Sequence, residues 1–262
     1  MERRSPGAGL WAIDHLHAVE KSALVCGIRP VIEALLAGKH IDRLLIRREA
    51  GGDGIREVRE LAMERGVHWQ PVPVEKLDRL TKAEHQGVIA LLTPVEEQDL
   101  DGVIAAVYDR GATPLIVALD GVTDVRNMGA IARSAECFGA HALLVPKQGS
   151  AQLGSDAVKS SAGALLRLPI CRVKSLVEGL VRAKEHGLRI VACTEKARMD
   201  IGTADLATPS VLVLGAEGEG ISEQVLALAD EQVRIPMAGS IGSLNVGVAA
   251  GIALYAALQK RR

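Results

Sequence analysis

Five polar residues, Asn127, Arg133, Glu217, Ser243 and Asn245, fall in three stretches where a short apolar run gives way to a turn rich in small residues. The stretches are Asp120-Gly-Val-Thr-Asp-Val-Arg-Asn-Met-Gly-Ala-Ile-Ala-Arg133, Leu214-Gly-Ala-Glu-Gly-Glu-Gly-Ile221 and Ile235-Pro-Met-Ala-Gly-Ser-Ile-Gly-Ser-Leu-Asn-Val246, the last running on into a helix rich in Gly and Ala. A carboxylate, two carboxamides, a hydroxyl and a guanidinium at such junctions are hydrogen-bonding groups that could meet a ligand. Seven glycines between residues 215 and 251 let backbone amides and carbonyls approach a ligand closely, a density that favours a backbone-lined pocket over a purely structural turn. Neither G-x-G-x-x-G nor a Walker loop is present, so dinucleotide and triphosphate sites are poorly supported. Each residue also has a purely local use. Asn127 can cap the helix beginning there, Ser243 or Asn245 can cap the last helix, and Glu217 and Glu219 can be solvated turn residues. Arg133 lies nearly two helical turns beyond Asn127, so helix geometry alone does not place the two in one site.

The elements that must position these stretches alternate extended and helical signals. Short apolar runs at 115–119, 142–145, 189–193, 211–214 and 233–235 read as buried parallel strands, with helices over 127–138, 176–186 and 244–259. In open α/β sheets ligands bind beyond the carboxyl ends of the strands, which is where the three stretches begin. A smaller α/β unit over 23–93 has a helix at 30–36 stopped by Gly38, a strand at 41–47, a helical stripe of Ile55, Val58, Leu61 and Ala62, and strands at 67–72 and 88–92. His85-Gln86-Gly87 reads as a polar turn before the last of these. Residues 94–112 open with proline and carry five acidic residues against one arginine, as an exposed linker would. Residues 1–22 form an extension of unassigned role.

Composition narrows the function classes. With 262 residues, 48% of them hydrophobic, the chain has material for two folded domains, and no apolar run approaches the ~18 residues of a membrane span. Lys and Arg number 31 against 32 Asp and Glu, so no overall basic field draws the protein onto nucleic acid. Five aromatic residues are too few for binding single strands by base stacking. Cys26, Cys137, Cys171 and Cys193 lie far apart with no zinc spacing and read as small buried hydrophobes, which with the lack of a signal-like N-terminus predicts a reducing, cytoplasmic home and no metal.

The three stretches, in this order, resemble the three motifs of the SpoU (TrmH) family of RNA ribose 2'-O-methyltransferases, within the SPOUT superfamily: Asn127-Met-Gly-Ala-Ile-Ala-Arg133, Leu214-Gly-Ala-Glu-Gly-Glu-Gly220 and Ile235-Pro-Met-Ala-Gly-Ser-Ile-Gly-Ser-Leu-Asn-Val246. Further segments, Gly27-Ile-Arg-Pro-Val-Ile-Glu-Ala-Leu-Leu36, His85-Gln-Gly-Val-Ile-Ala90 and Val145-Pro-Lys-Gln-Gly-Ser-Ala-Gln-Leu153, are similar to the bacterial members that methylate a guanosine of 23S rRNA. The likeness runs from about residue 24 to the C-terminus. It departs at Gly247, where relatives more often carry serine.

The resemblance implies a SPOUT-type catalytic domain over 113–262, a parallel α/β sheet with a deep trefoil knot, joined to an L30e-like RNA-binding α/β domain over 23–93. It implies a homodimer and S-adenosylmethionine as methyl donor. By the same resemblance, Thr194, Leu214, Gly215, Gly220, Ile235, Met237 and Leu244 would hold the cofactor. Asn127, Glu217, Ser243 and Asn245 would position the ribose and its hydroxyl. Arg133 would assist deprotonation; because arginine keeps its charge in proteins, stabilising an alkoxide and holding a phosphate are the favoured forms of that help. Arg29, Arg47, Arg126, His85 and Gln86 would meet RNA. Alternative readings are the same chemistry on tRNA or another rRNA site, including a resistance methylation, and a non-catalytic RNA-binding ribosome-assembly factor that keeps the fold.

Overall fold

The computed structural model describes residues 24–93 and 95–262, and the chain divides into two compact units, Met1–Pro94 and Val95–Arg262. The N-terminal extension and its Trp11 lie outside the described residues.

The first unit runs β1 (Leu24–Cys26), α1 (Ile28–Leu36), β2 (Ile41–Arg47), α2 (Asp53–Glu64), β3 (Trp69–Val72), α3 (Val74–Leu80) and β4 (Val88–Leu92). Its sheet has the order β1-β4-β2-β3, with β2 and β3 parallel and the other pairs antiparallel. The helical stripe acts as its spacing requires: Ile55, Val58 and Ala62 are buried with Val31, Ile32 and Leu35 of α1 against Leu44, Ile46, Val88 and Ala90 of the sheet. The strand expected from residue 67 starts at Trp69, and Val67 packs on the core from the preceding turn.

In the second unit the strands are β5 (Leu115–Asp120), β6 (Ala142–Pro146), β7 (Ile170–Val173), β8 (Arg189–Cys193), β9 (Met199–Asp200), β10 (Ser210–Gly215) and β11 (Glu231–Arg234). The helices are α4 (Leu100–Asp109), α5 (Val125–Cys137), α6 (Ser155–Ser160), α7 (Leu176–Glu185), α8 (Glu223–Leu226) and α9 (Val246–Arg261). Every strand pair is parallel, in the order β7-β6-β5-β10-β8-β11-β9. One face of the sheet, with Ile116, Ala118, Leu144, Ile190 and Val213, packs on α4 and α7. α5 and α9 pack on each other and touch β6 and β10 respectively.

The stretch 95–112, expected as part of an exposed linker, belongs instead to the second unit. Asp99 caps α4 by accepting the Gly102 N–H at 3.0 Å, and Leu100, Val103, Ile104 and Val107, at i, i+3, i+4 and i+7, are buried. The first three belong to the core of the second unit. The acids that made this stretch look solvated are largely paired: Arg182 donates to Asp99 at 2.9 Å and Asp101 at 2.6 Å, and Arg172 to Glu97 at 3.3 Å. At the other end of the chain, Arg261 donates to the carbonyls of Leu206, Thr113, Pro114 and Thr208 at 2.6–3.2 Å, anchoring α9 to the segments that lead into β5 and β10. Among the described residues, no helix is long and apolar enough to cross a membrane.

Candidate active site

Parallel register brings together segments that lie far apart in sequence. Asp120 pairs with Gly215, Leu214 with Cys193, and Cys193 with Val233, so the segments that follow β5, β8, β10 and β11 leave the sheet at one edge. Those after β8, β10 and β11 enclose a cleft of about 580 Å³. Thr194, Leu214, Gly215, Gly220, Ile235, Met237 and Leu244 all line it, together with Glu217, Ser243 and Asn245. Two lining residues carry negative charge, Glu195 and Glu217, and none is Lys, Arg or His. Such a cleft favours a cationic or neutral ligand over a phosphorylated one. Cys193 lines it too, and burial, aided by Glu195, pushes its thiol up to about 11.

The loop after β10 is held tightly. A Cβ on Gly215 would stand 2.2 Å from the Gly220 carbonyl carbon, so only glycine permits the approach. Ala216 and Gly220 exchange backbone hydrogen bonds of 3.1 and 2.9 Å, and the Asp120 carboxylate accepts the Ser222 N–H at 2.7 Å. Glu217 therefore projects from a loop pinned at both ends.

The helix caps differ in part from expectation. Asp124, not Asn127, caps α5, accepting the Arg126 and Asn127 N–H groups at 2.7 and 2.9 Å; Asn127 lies inside the first turn. Its side chain is thereby freed to accept from Asn245 Nδ2 at 2.9 Å. Asn245 caps α9, and the same Nδ2 donates to Glu217 Oε1 at 2.5 Å. Asn127, Glu217 and Asn245 thus form one cluster. Ser243 is exposed and is not the cap. At position 247 a Cβ would meet Ala130 Cβ at 3.0 Å and Asn245 Oδ1 at 3.2 Å, so glycine lets α9 pack closely on α5 here.

Arg133 does not join this cluster. It is exposed on α5, outside the cleft lining, and makes no hydrogen bond or ion pair among the described residues. Arg126 is likewise exposed on α5. In the first unit, Arg29 in the first turn of α1 and Arg47 at the end of β2 are exposed, near the turn that enters β4. In that turn, Gln86 takes a left-handed φ of 51° and its Oε1 accepts the Ile28 N–H at 3.1 Å, capping α1. His85 is used locally: Nδ1 accepts the Gly87 N–H at 3.0 Å, which leaves Nε2 to donate to Asp78 at 3.0 Å.

Residues 114–255 match the model of the SpoU rRNA methylase family, and residues 24–98 match that for RNA 2'-O ribose methyltransferase substrate binding. The chain belongs to the SpoU family. Among its relatives, the TrmH family tRNA/rRNA methyltransferase YacO of Bacillus subtilis is 35% identical over 90% of this chain and 95% of its own length. A Staphylococcus aureus TrmH family tRNA/rRNA methyltransferase is 31% identical over 92% of this chain and 97% of its own. The crystal structure of the SpoU methyltransferase AviRb from Streptomyces viridochromogenes, in complex with AdoMet, superposes with a TM-score of 0.57 at 29% identity, covering 97% of this chain and 99% of AviRb.

Two residues of this SpoU member have no assigned role in the motifs: Asp120, which anchors the β10 loop, and Glu195, a second acid of the cleft. Asp120 carried a usable signal, a carboxylate at the end of an apolar strand. Glu195 carried none, since a glutamate after Thr194 reads as any solvated residue.

Proposed function

We propose that this protein transfers a methyl group from S-adenosylmethionine to a ribose 2'-hydroxyl of RNA, with a guanosine of 23S rRNA as the target. The observation that carries the reading is the Asn127–Glu217–Asn245 cluster, built beside a glycine-lined cleft that has two carboxylates and no cation. S-adenosylmethionine is a cation at sulfur and, when bound, supplies an already activated methyl. What remains for the protein is alignment of the hydroxyl and removal of its proton, and orientation alone is worth up to ~7–11 kcal/mol. Backbone at Leu214, Gly215, Ile235, Met237 and Leu244 would hold the adenosine part, with Thr194 and Gly220 completing the wall. The deep trefoil knot belongs to the same proposal, supported by the convergence of the segments after β8, β10 and β11.

A homodimer is part of this reading. α9 exposes Val248, Ile252 and Tyr255, at i, i+4 and i+7, and Ile241 and Leu244 are exposed in the loop before it. A second copy of this chain, laid on that stripe and on the neighbouring face of α5, would cover it. Arg133 and Arg126 lie on α5 and would then be available to an RNA phosphate or to the developing alkoxide at a site near the interface. In the first unit, the cationic sheet end with Arg29 and Arg47 would meet RNA, while Gln86 and His85 shape it. Cytoplasmic rRNA is the expected encounter.

Two measurements test the proposal. Calorimetry should show S-adenosylmethionine binding, and no binding would replace this reading with that of a non-catalytic RNA-binding factor. Mapping of 2'-O-methyl sites in total RNA, with and without the gene, should lose one site in 23S rRNA. Loss of a tRNA site instead would move the substrate while leaving the chemistry.

A further inference from the structure

We propose that Glu217 takes the proton of the attacking hydroxyl, and that Asn245 is a positioning residue that aims Glu217 and Asn127 without touching the substrate; this rests on the methyl-transfer reading above. A carboxamide has two donor hydrogens and one oxygen with two lone pairs. In Asn245 all four are used. Its Oδ1 accepts the Gly247 N–H at 3.0 Å and the Val248 N–H at 3.3 Å, and its Nδ2 donates to Asn127 Oδ1 at 2.9 Å and to Glu217 Oε1 at 2.5 Å. The cap settles which end of the amide is oxygen, because two backbone N–H groups can be met only by an acceptor.

Orientation then passes to the partners. Asn127 must present Oδ1 to Asn245, so its own NH2 group is turned away and has no hydrogen bond among the described residues. Glu217 has Oε1 engaged, which leaves Oε2 as an acceptor at the cleft wall. An amide donor and a carboxylate acceptor are thus fixed on either side of one pivot. A hydroxyl nucleophile needs both: a donor to hold one lone pair of its oxygen, and an acceptor for its proton. Arg133 has only donors and cannot accept that proton.

The step balances without a further reactant. A lone pair of the ribose oxygen forms the O–C bond, the C–S bond breaks with its electron pair left on a now neutral sulfur, and the O–H proton passes to Glu217 Oε2 and then to solvent. The proton becomes acidic as the O–C bond forms, so a carboxylate can receive it late in the step.

The test is single-turnover methyl transfer from labelled S-adenosylmethionine to total RNA of a strain lacking the gene, with calorimetry of the same proteins. Glu217→Gln keeps an oxygen for Asn245 and removes the proton acceptor. Its transfer rate should fall about 10²- to 10⁴-fold with cofactor Kd within about threefold of wild type. Asn245→Asp keeps the helix cap, since Asp and Asn cap equally well, but turns oxygen instead of N–H toward Glu217 and Asn127. It should keep the native circular-dichroism spectrum and show a rate loss of about 10²-fold or more, on the same scale of general-base catalysis. A wild-type rate in Glu217→Gln overturns the proton role, and a wild-type rate in Asn245→Asp overturns the positioning role. If wild-type protein itself neither binds S-adenosylmethionine nor transfers methyl, the methyl-transfer reading falls and this inference with it.

Discussion

At the scale of single residues, backbone approach and hydrogen-bond capacity decide what the site tolerates. Gly215 faces the backbone of Gly220 and Ile221 with no side chain that could yield, so Gly215→Ala must displace the loop that carries Glu217. We expect at least a tenfold rise in the S-adenosylmethionine Kd, read by calorimetry, in a protein that still folds. Arg133 gives the opposite pattern. It is exposed and outside the cleft, so Arg133→Ala should abolish methyl transfer while Kd for the cofactor stays within a few-fold. Full activity in that variant would remove Arg133 from the mechanism. The polar identities at 127, 217 and 245 were legible from the motifs, but their bonding was not. By its spacing Asn127 can cap the helix, but Asp124, three residues earlier, takes the Arg126 and Asn127 N–H groups. A cap is a competition between neighbouring acceptors, and spacing alone does not name the winner.

Secondary-structure elements were readable where one signal dominated. The stripe of Ile55, Val58 and Ala62 and the apolar strands of the second unit kept their expected periods, because alternation or helical spacing leaves few other ways to bury them. α4 was hidden because its acidic flank outweighed its short apolar stripe in composition, while in space Arg182 and Arg172 neutralise the same acids. Ile104 is fully buried in the core of the second unit, so Ile104→Ala should cost about 3 kcal/mol of stability by the usual large-to-small scale, measured by denaturant unfolding. On α9 the apolar stripe faces solvent in the single chain, with Val248 52% and Tyr255 53% exposed. Charging it with Val248→Asp and Ile252→Asp should convert a dimer to monomers in sedimentation. A wild-type protein that sediments as a monomer would dismiss the dimer.

For the whole molecule, charge takes a different meaning once the units are known. The second unit, 95–262, holds seventeen Lys and Arg against nineteen Asp and Glu, and the first, over 24–93, eleven against ten, so neither carries a broad basic field. RNA contact therefore rests on local arginines, and its salt dependence should be modest for a nucleic-acid binder. Truncation separates the roles. A chain of 95–262 should bind S-adenosylmethionine as the full chain does and bind RNA more weakly, as judged by calorimetry and filter binding. Starting at 113 instead removes Leu100, Val103 and Ile104 from the core, and that chain should be insoluble or molten. Equal behaviour of the two truncations would contradict the assignment of α4 to the second unit's core.

What the amino-acid sequence determined by itself was the family, the α/β class and the identity of the polar site residues, because motif order and hydrophobic period are properties of the chain read in one dimension. What only the tertiary structure decided was which of those residues meet. Parallel register carries Asp120, Gly215, Cys193 and Val233 to one edge, and a single carboxamide at 245 then ties residues 127 and 217 together. Such contacts between residues from some twenty to more than a hundred positions apart depend on strand order and on the last few tenths of an ångström of packing, which no local pattern encodes.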